Sequence, residues 1–390
     1  MGELIRFDLG DYSIKPIDIA AILLFLVWVP QAFKKWKKNI RSDRLFIPII
    51  LLVATMCISL LLNIKNFSGS EVFIAFSYTL RWILYASLYF IVKSFSDKFK
   101  EKIIYLLLGL GAVIIFLGFI QYFFYTSLRN LYYLGWDEHM YRMFSTFLDP
   151  NFAGSFFVLY LIFLAGLLLF SLKNRTSQVW FIGLISIFTL ISTYLTYSRS
   201  ALIMLIVSSI IFLTLAKKIK WLILIISVSV LFILTSSKNW NVENINLFRI
   251  ASSEARIDSA KIAIEIIKNN LFSGVGFNTY RYAQVKYGFR SPVGSTDSHA
   301  DAGSDNSFLF IAATAGIAGL IFYLNLLGTI LKKAYESYRN YKNGNIQKYI
   351  GLVVLASVGG IIVDSFFVNS LFYSFVMIWL WILLGLIENS

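Results

Sequence analysis

Cysteine and histidine are nearly missing from this 390-residue chain, proline is sparse, and charge is scarce. The one cysteine, Cys57, lies inside an apolar run, which excludes an intramolecular disulfide and any cysteine cluster for a metal. The two histidines, His139 and His299, stand far apart in sequence and give little basis for a metal site. No glycine loop leads into Lys and Ser or Thr, and neither an HExxH nor a CxxC occurs, so the common soluble nucleotide, zinc and redox motifs are absent. Charged residues make up 14%, against about a quarter in an ordinary soluble domain. Hydrophobic residues make up 58%, more than a water-soluble core could hide.

What is present is a series of apolar runs, each long enough for a helix of roughly 17 to 25 residues to cross a bilayer. They fall near 16–33, 45–64, 71–93, 102–126, 152–172, 178–197, 200–216, 220–236, 306–331, 349–367 and 369–387. The fold class is therefore all-α, a polytopic transmembrane helical bundle of about eleven spans, read as one integral membrane domain over 1–390. Aromatic residues at 17% suit a protein with many membrane interfaces.

The formal charge of +14 would point to nucleic acid in a soluble protein, but its placement points elsewhere. Of the 35 Lys and Arg, 20 fall in the connections 34–44, 93–102, 172–175, 216–220 and 332–348, which alternate with poorer ones. By the bias of basic residues toward cytoplasmic loops, these five lie inside, the N-terminus is out and the C-terminus in. The membrane expected is the cytoplasmic membrane of a bacterium or other prokaryote. The N-terminal segment carries acids and no basic stretch before its apolar run, so no cleaved signal peptide is expected.

The outer connections include 127–150 and the long stretch 237–304. Loops of that length are functional or disordered. Within 252–271, Ile257, Ala260, Ile264, Ile267 and Leu271 share one helical stripe, with Ser252 or Ser253 available as N-cap, which predicts an amphipathic helix lying on the outer surface or lidding a cavity. Gly274, Gly276 and Gly288 mark turns after it. No internal repeat is evident, and no broken helix is clearly legible.

Arginines that depart from the inside bias need another reason to be where they are. Arg199 sits in a tight turn, TYSRSA, at the outer mouth of the bundle. Arg142 precedes Asp149 and Pro150, where the chain turns back into the bilayer. Arg256 opens the amphipathic helix at the border of its stripe. Each could be an interface or solvated charge; converging, they form an anion site, because guanidinium forks match phosphate oxygens and stay ionised. Arg81 lies about ten residues inside a span, where it should face the bundle interior with a partner; Asp364 is a candidate, either for a structural pair or for substrate contact. Asp305 and Asn306 begin a late apolar helix. Asp305 is either its N-cap or a carboxylate able to take a proton from an attacking sugar hydroxyl. His299, just upstream, could act as that base or be a solvated loop residue.

Four of these segments, RMFSTFLDPNFAG, LTYSRSALI, ARIDSAKIAIEIIKNNLFSGVGFNTYRY and NSFLFIAATAGIAGLIF, together resemble the O-antigen ligase and O-antigen polymerase superfamily of membrane glycosyltransferases, in family order from about 142 to 330. The resemblance implies a GT-C-like helical glycosyltransferase fold without a nucleotide-sugar domain. It also implies an undecaprenyl-diphosphate-linked donor, inversion at the anomeric carbon, and no metal or other cofactor. Arg199 and Arg256 would then bind the donor diphosphate, with Arg142 assisting. Ligases of this family typically carry His-Asn where this chain reads Asp305-Asn306, so a histidine base does not carry over there. The Asp-Asn form looks more like the polymerases that lengthen lipid-linked repeats; His299 as a displaced equivalent keeps the ligase reading open, with lipid A core or another molecule as acceptor. A lipid or anion transporter or flippase is the reading from another class, motivated by Arg81 and Asp364 inside the membrane.

Overall fold

The computed structural model describes residues 2–9, 12–34, 40–236, 246–247, 251–291 and 303–388. Eleven apolar helices stand where the eleven apolar runs predict them: α1 (Pro16–Lys34), α2 (Phe46–Leu62), α3 (Gly69–Lys93), α4 (Asp97–Phe124), α5 (Pro150–Asn174), α6 (Val179–Leu195), α7 (Arg199–Leu215), α8 (Ile219–Ser236), α11 (Ser307–Asn340), α12 (Ile346–Asp364) and α13 (Ser374–Leu386). Five of these, α3, α4, α5, α11 and α12, are long and apolar enough by length and composition to cross a membrane, and the others are shorter apolar helices. Two further helices, α9 (Ala251–Asn269) and α10 (Tyr280–Lys286), belong to the long connection before α11. Helix-favouring apolar sequence forms the elements, and local chemistry ends them. Ser68 and Glu71 make a reciprocal capping box on α3. Asp149 caps α5, whose first residue is proline, where no backbone donor is lost.

The helices are apolar on all sides, so the bundle is inverted relative to a soluble protein. Val27, Leu106, Phe116 and Trp180 stand exposed on its flanks, as expected of helices bathed in lipid. The interior is aromatic, with Phe156, Tyr160 and Phe163 of α5 packed edge-on around Trp379 of α13 at ring separations of 5.2 to 6.1 Å. Such edge-to-face pairs add to area burial by satisfying the ring quadrupoles. Among the described residues one element is not helical, an antiparallel hairpin of β1 (Phe7–Leu9) and β2 (Tyr12–Ile14), which the reading as purely helical did not foresee.

The five basic connections gather at one end. Lys93 and Lys333 both bind Asp43, Asn174 donates to the Gly344 carbonyl at 3.2 Å, and the Tyr338 hydroxyl donates to the Leu215 carbonyl at 2.6 Å. At the other end, Glu3 N–H donates to the Thr146 carbonyl at 2.7 Å, Met143 N–H to Leu195 at 2.9 Å and Ser307 N–H to Ser365 at 2.9 Å.

Two features go beyond the sequence reading. First, α11 is broken: Gly316 has φ 70 and ψ −176 inside it. The freed carbonyls of Ala313 and Thr314 accept from the N–H groups of Val275 and Gly276 at 2.9 and 3.0 Å, and Ile317 N–H donates back to Leu271 at 2.9 Å. A backbone break in a water-poor interior has to be re-satisfied by a neighbour, and here the Gly-Val-Gly turn after α9 supplies the donors. Only glycine fits on either side, since a Cβ at Gly316 would lie 2.1 Å from the Phe272 carbonyl oxygen, and one at Gly274 within 2.5 Å of Thr314 backbone.

Second, of the two settings expected for the amphipathic helix, the exposure of its stripe agrees with a surface-lying one: Ile257, Ile264 and Leu271 are 55%, 43% and 44% exposed, whereas Ala263 and Ile266, off that stripe, are wholly buried. Helix α9 has three faces rather than two. Ser252, Arg256, Ser259, Ala263 and Ile266 follow one another every three or four residues along the inward face. Asp258–Lys261 and Glu265–Lys268 pair on a second, solvated face. The isoleucine stripe is the third, turned away from the protein, where an apolar strip at a membrane surface meets lipid.

Candidate active site

The site is built from the ends of α5, α7, α11 and α12 and the inward face of α9. Its foundation is the turn between α6 and α7. Arg142 is 4% exposed. Its Nε donates to the Thr196 carbonyl at 2.8 Å and its Nη2 to the Tyr197 carbonyl at 3.4 Å and Asn151 Oδ1 at 3.5 Å. Asn151 Oδ1 also accepts from the Ser198 hydroxyl at 3.0 Å, and Ser198 in turn caps α7 through the Ala201 N–H. Buried carbonyls at a turn need donors, and the Arg142 guanidinium supplies them. Arg142 therefore braces the turn that carries Arg199.

Backbone strain clusters at the same place. His139, Tyr141, Ser145, Leu148 and Tyr197 all have φ between 46 and 58, a region non-glycine residues adopt at a cost that surrounding structure must offset.

Arg199, the first residue of α7, reaches α9. Its Nη1 donates to Ser253 Oγ at 3.0 Å and its Nη2 to Ser252 Oγ at 3.1 Å. One turn further along α9, Arg256 repels Arg199 and attracts Asp364; it has no hydrogen-bond or ion-pair partner among the described residues. A further turn on, Ser259 Oγ accepts from the Asp305 N–H at 3.2 Å. From Ser252 to Ser259 the helix rises about 10 Å. Of the three arginines expected to converge, Arg199 and Arg256 lie beside each other on the inward face of α9, and the backbone of Asp305 reaches the same face; Arg142 lies behind the α6–α7 turn.

The carboxylate of Asp305 is not the helix cap. Asn306 caps α11, its Oδ1 accepting from Phe308 and Leu309 N–H at 2.9 and 3.0 Å. Tyr280 of α10 lies within the field of Asp305. Burial first, and the Asp305 charge second, push its phenol up, so it stays a protonated donor. His299 lies outside the described residues.

Asp364 is wholly buried at the end of α12. Its Oδ2 accepts from Ser155 at 2.7 Å, and the hydroxyls of Ser200 and Ser370 approach it. It does not pair with Arg81, which corrects that expectation. Arg81 binds Asp18 of α1 at 3.0 Å and the Ser13 carbonyl, and stacks against Tyr12 and Tyr78. The hairpin sets β2 beside Arg81 and α1 brings Asp18 to it, a pairing the separate apolar runs gave no reason to expect. Asn151, Ser198, Ser252, Ser253 and Ser259 were likewise missed; their one signal was polarity at helix ends in a chain otherwise short of it. Among the described residues no group of three His, Cys, Asp or Glu side chains gathers to hold a metal ion.

These features define a helical membrane protein with a paired-arginine site at the end of the bundle opposite its basic connections. Residues 184–324, less than half of the chain, are similar to the family model described as O-Antigen ligase. The matched stretch contains Arg199, Arg256 and Asp305, while Arg142 lies before it. No curated protein matches the chain.

Proposed function

We propose that the chain is a glycosyltransferase that joins an undecaprenyl-diphosphate-linked glycan to a sugar hydroxyl on the outer face of a prokaryotic cytoplasmic membrane, and that it polymerises repeat units of a surface polysaccharide. The single domain crosses the bilayer eleven times, N-terminus out and C-terminus in, with the basic end in the cytoplasm. The observation that supports the reading is the inward face of α9, where Arg199 binds Ser252 and Ser253, Arg256 lies close enough to repel Arg199, and the Asp305 N–H binds Ser259.

In the reaction, the acceptor oxygen forms a bond to the anomeric carbon from the face opposite the diphosphate, which inverts that carbon. The bond from carbon to diphosphate oxygen breaks and the oxygen leaves with the electron pair. Arg199 and Arg256 neutralise the charge that develops on it, an interaction that strengthens toward the transition state. The acceptor proton passes to the Asp305 carboxylate. Ser252 and Ser253 orient Arg199, and Arg142 positions the turn it stands on.

Incubating purified protein with a lipid-linked repeat unit tests this. A ladder of lipid-linked chains is the expected product, and its complete absence under conditions that retain folded protein overturns the reading. The ligase alternative draws on the O-Antigen ligase description of the matched family; it requires a single transfer to a non-donor acceptor such as lipid A core, with no ladder.

A further inference from the structure

The start of α10 is held by three sets of contacts. Asn278, two residues ahead of it, has φ 61, a region that costs a non-glycine residue and persists where the surroundings enforce it. The wholly buried Thr279 donates its hydroxyl to the Val275 and Gly276 carbonyls at 2.9 and 2.8 Å, and those two residues give their N–H groups to the break in α11. The ring of Tyr280, the first residue of α10, then packs on Phe310 at 6.0 Å, and Phe310 on Phe372 at 5.2 Å. Phe310 N–H donates to the Asn306 carbonyl at 2.8 Å, so Tyr280 stands against the opening turn of the helix that Asp305 precedes.

The Tyr280 side chain is buried, 1% exposed, and its hydroxyl has no hydrogen-bond partner among the described residues. A buried hydroxyl left unpaired destabilises a fold, and phenylalanine would fill the same space without that cost. The hydroxyl therefore needs a reason outside stability. Among the described residues, the one charge that acts on it is Asp305. The Asp305 backbone is held by its N–H on Ser259 at 3.2 Å, while its carboxylate turns on torsions of its own.

We propose that Tyr280 is a positioning residue of the transfer reaction: with the acceptor in place, its phenol donates to one oxygen of the Asp305 carboxylate, which aims the other oxygen at the acceptor hydroxyl. This rests on the reading of Asp305 as the proton acceptor. Donation to a carboxylate favours its ionised form, so removing the phenol moves the acid limb of the pH profile upward. The other charged groups on the elements packed around the start of α11 are Arg256 on α9, Arg281 on α10 and Asp364 at the end of α12. Exchanging the phenol for a phenyl ring leaves all three in place. Asp258 and Lys261 pair with each other on the solvated face of α9, and Lys286 of α10 binds Asn66 at 2.9 Å.

The test compares the full chain in detergent as parent, Tyr280→Phe and Asp305→Asn, reading melting temperature and glycan transfer across pH. Tyr280→Phe should melt at or above the parent temperature. Its transfer at saturating donor should fall about 10- to 100-fold, with the acid limb displaced upward by about one pH unit and the donor KM unchanged. Parent-like transfer with an unmoved acid limb, beside an inactive Asp305→Asn, overturns this proposal and leaves the reading of the site standing. A melting temperature several degrees below that of the parent also overturns it, because the hydroxyl would then have a structural partner. Transfer retained by Asp305→Asn, or absent from the parent, overturns the reading of the site and this inference with it.

Discussion

The Arg142 guanidinium donates to the Thr196 carbonyl at 2.8 Å and is 4% exposed, so a side chain 54 residues away in sequence fixes the turn that launches Arg199. The two arginines are therefore unequal. One is structural support that happens to be charged; the other reaches across to α9 from the same turn. Arg142→Ala removes the 2.8 Å donor to the Thr196 carbonyl, at a cost of about 1–3 kcal/mol. Melting temperature and transfer should fall together in that variant. Arg199→Ala should lower transfer about 10²–10³-fold, the range for removing one group that stabilises developing charge, with the melting curve unmoved. Thermal unfolding in detergent beside a glycan-transfer assay separates the two; equal melting losses would put Arg199 in the scaffold.

At the start of α11 the adjacent residues Asp305 and Asn306 divide two tasks. Asn306 Oδ1 caps two N–H groups, so Asn306→Ala should cost about 1 kcal/mol of stability while Asn306→Asp should keep the cap. Asp305→Asn preserves shape and removes the proton acceptor. Transfer should collapse in Asp305→Asn without a change in melting. Normal turnover from that variant, assayed at saturating donor, would remove the carboxylate from the chemistry.

The pair of Arg81 and Asp18 is buried on both sides, each side chain being 6% exposed. Removing one partner of such a pair strands the other charge, a loss of about 3–5 kcal/mol. Asp18→Ala should therefore lower expression and melting temperature sharply. Asp18→Asn combined with Arg81→Gln should recover much of the stability, and transfer by the folded fraction should stay near normal. A double variant that folds well yet transfers nothing would return Arg81 to the substrate path.

The apolar runs placed the eleven apolar helices because a helix surrounded by lipid must be hydrophobic over its whole length, a signal that needs no knowledge of neighbours. The alternation of basic connections likewise located the two ends. What stayed hidden depends on contact between segments distant in sequence. Gly316 sits in AATAGIAG, where small residues read as ordinary helix packing; the break is visible only beside the N–H groups of Val275 and Gly276. The orientation of α9 stayed open in the sequence because isoleucine and alanine occur on two of its three faces, and only the bundle selects Ala263 and Ile266 as the inner pair. Arg199, Arg256 and Asp305 drew attention in the sequence because charge outside the basic loops is rare. The serines serving them carry no such contrast.

Asp43 gives the fold a pH dependence of defined sign. Burial alone would raise its pKa, but hydrogen bonds from Lys93 and Tyr89 and the charge of Lys333 outweigh burial, so the carboxyl is held below its ordinary value of 3.8. A group whose folded pKa is depressed contributes stability above its unfolded pKa and loses it as pH falls through the folded one. The corner joining α1, α3 and α11 should thus be fully braced at neutral pH and weaken progressively below about pH 4. Asp43→Asn should be less stable at pH 7, because Lys93 and Lys333 lose their shared anion, and its stability should vary less between pH 6 and pH 3 than that of the parent. Melting curves in detergent across that interval, read against Glu336→Gln as an exposed-carboxylate control, decide the matter; a parent and Asp43→Asn that weaken in parallel on acidification would show that another carboxylate sets the acid limit.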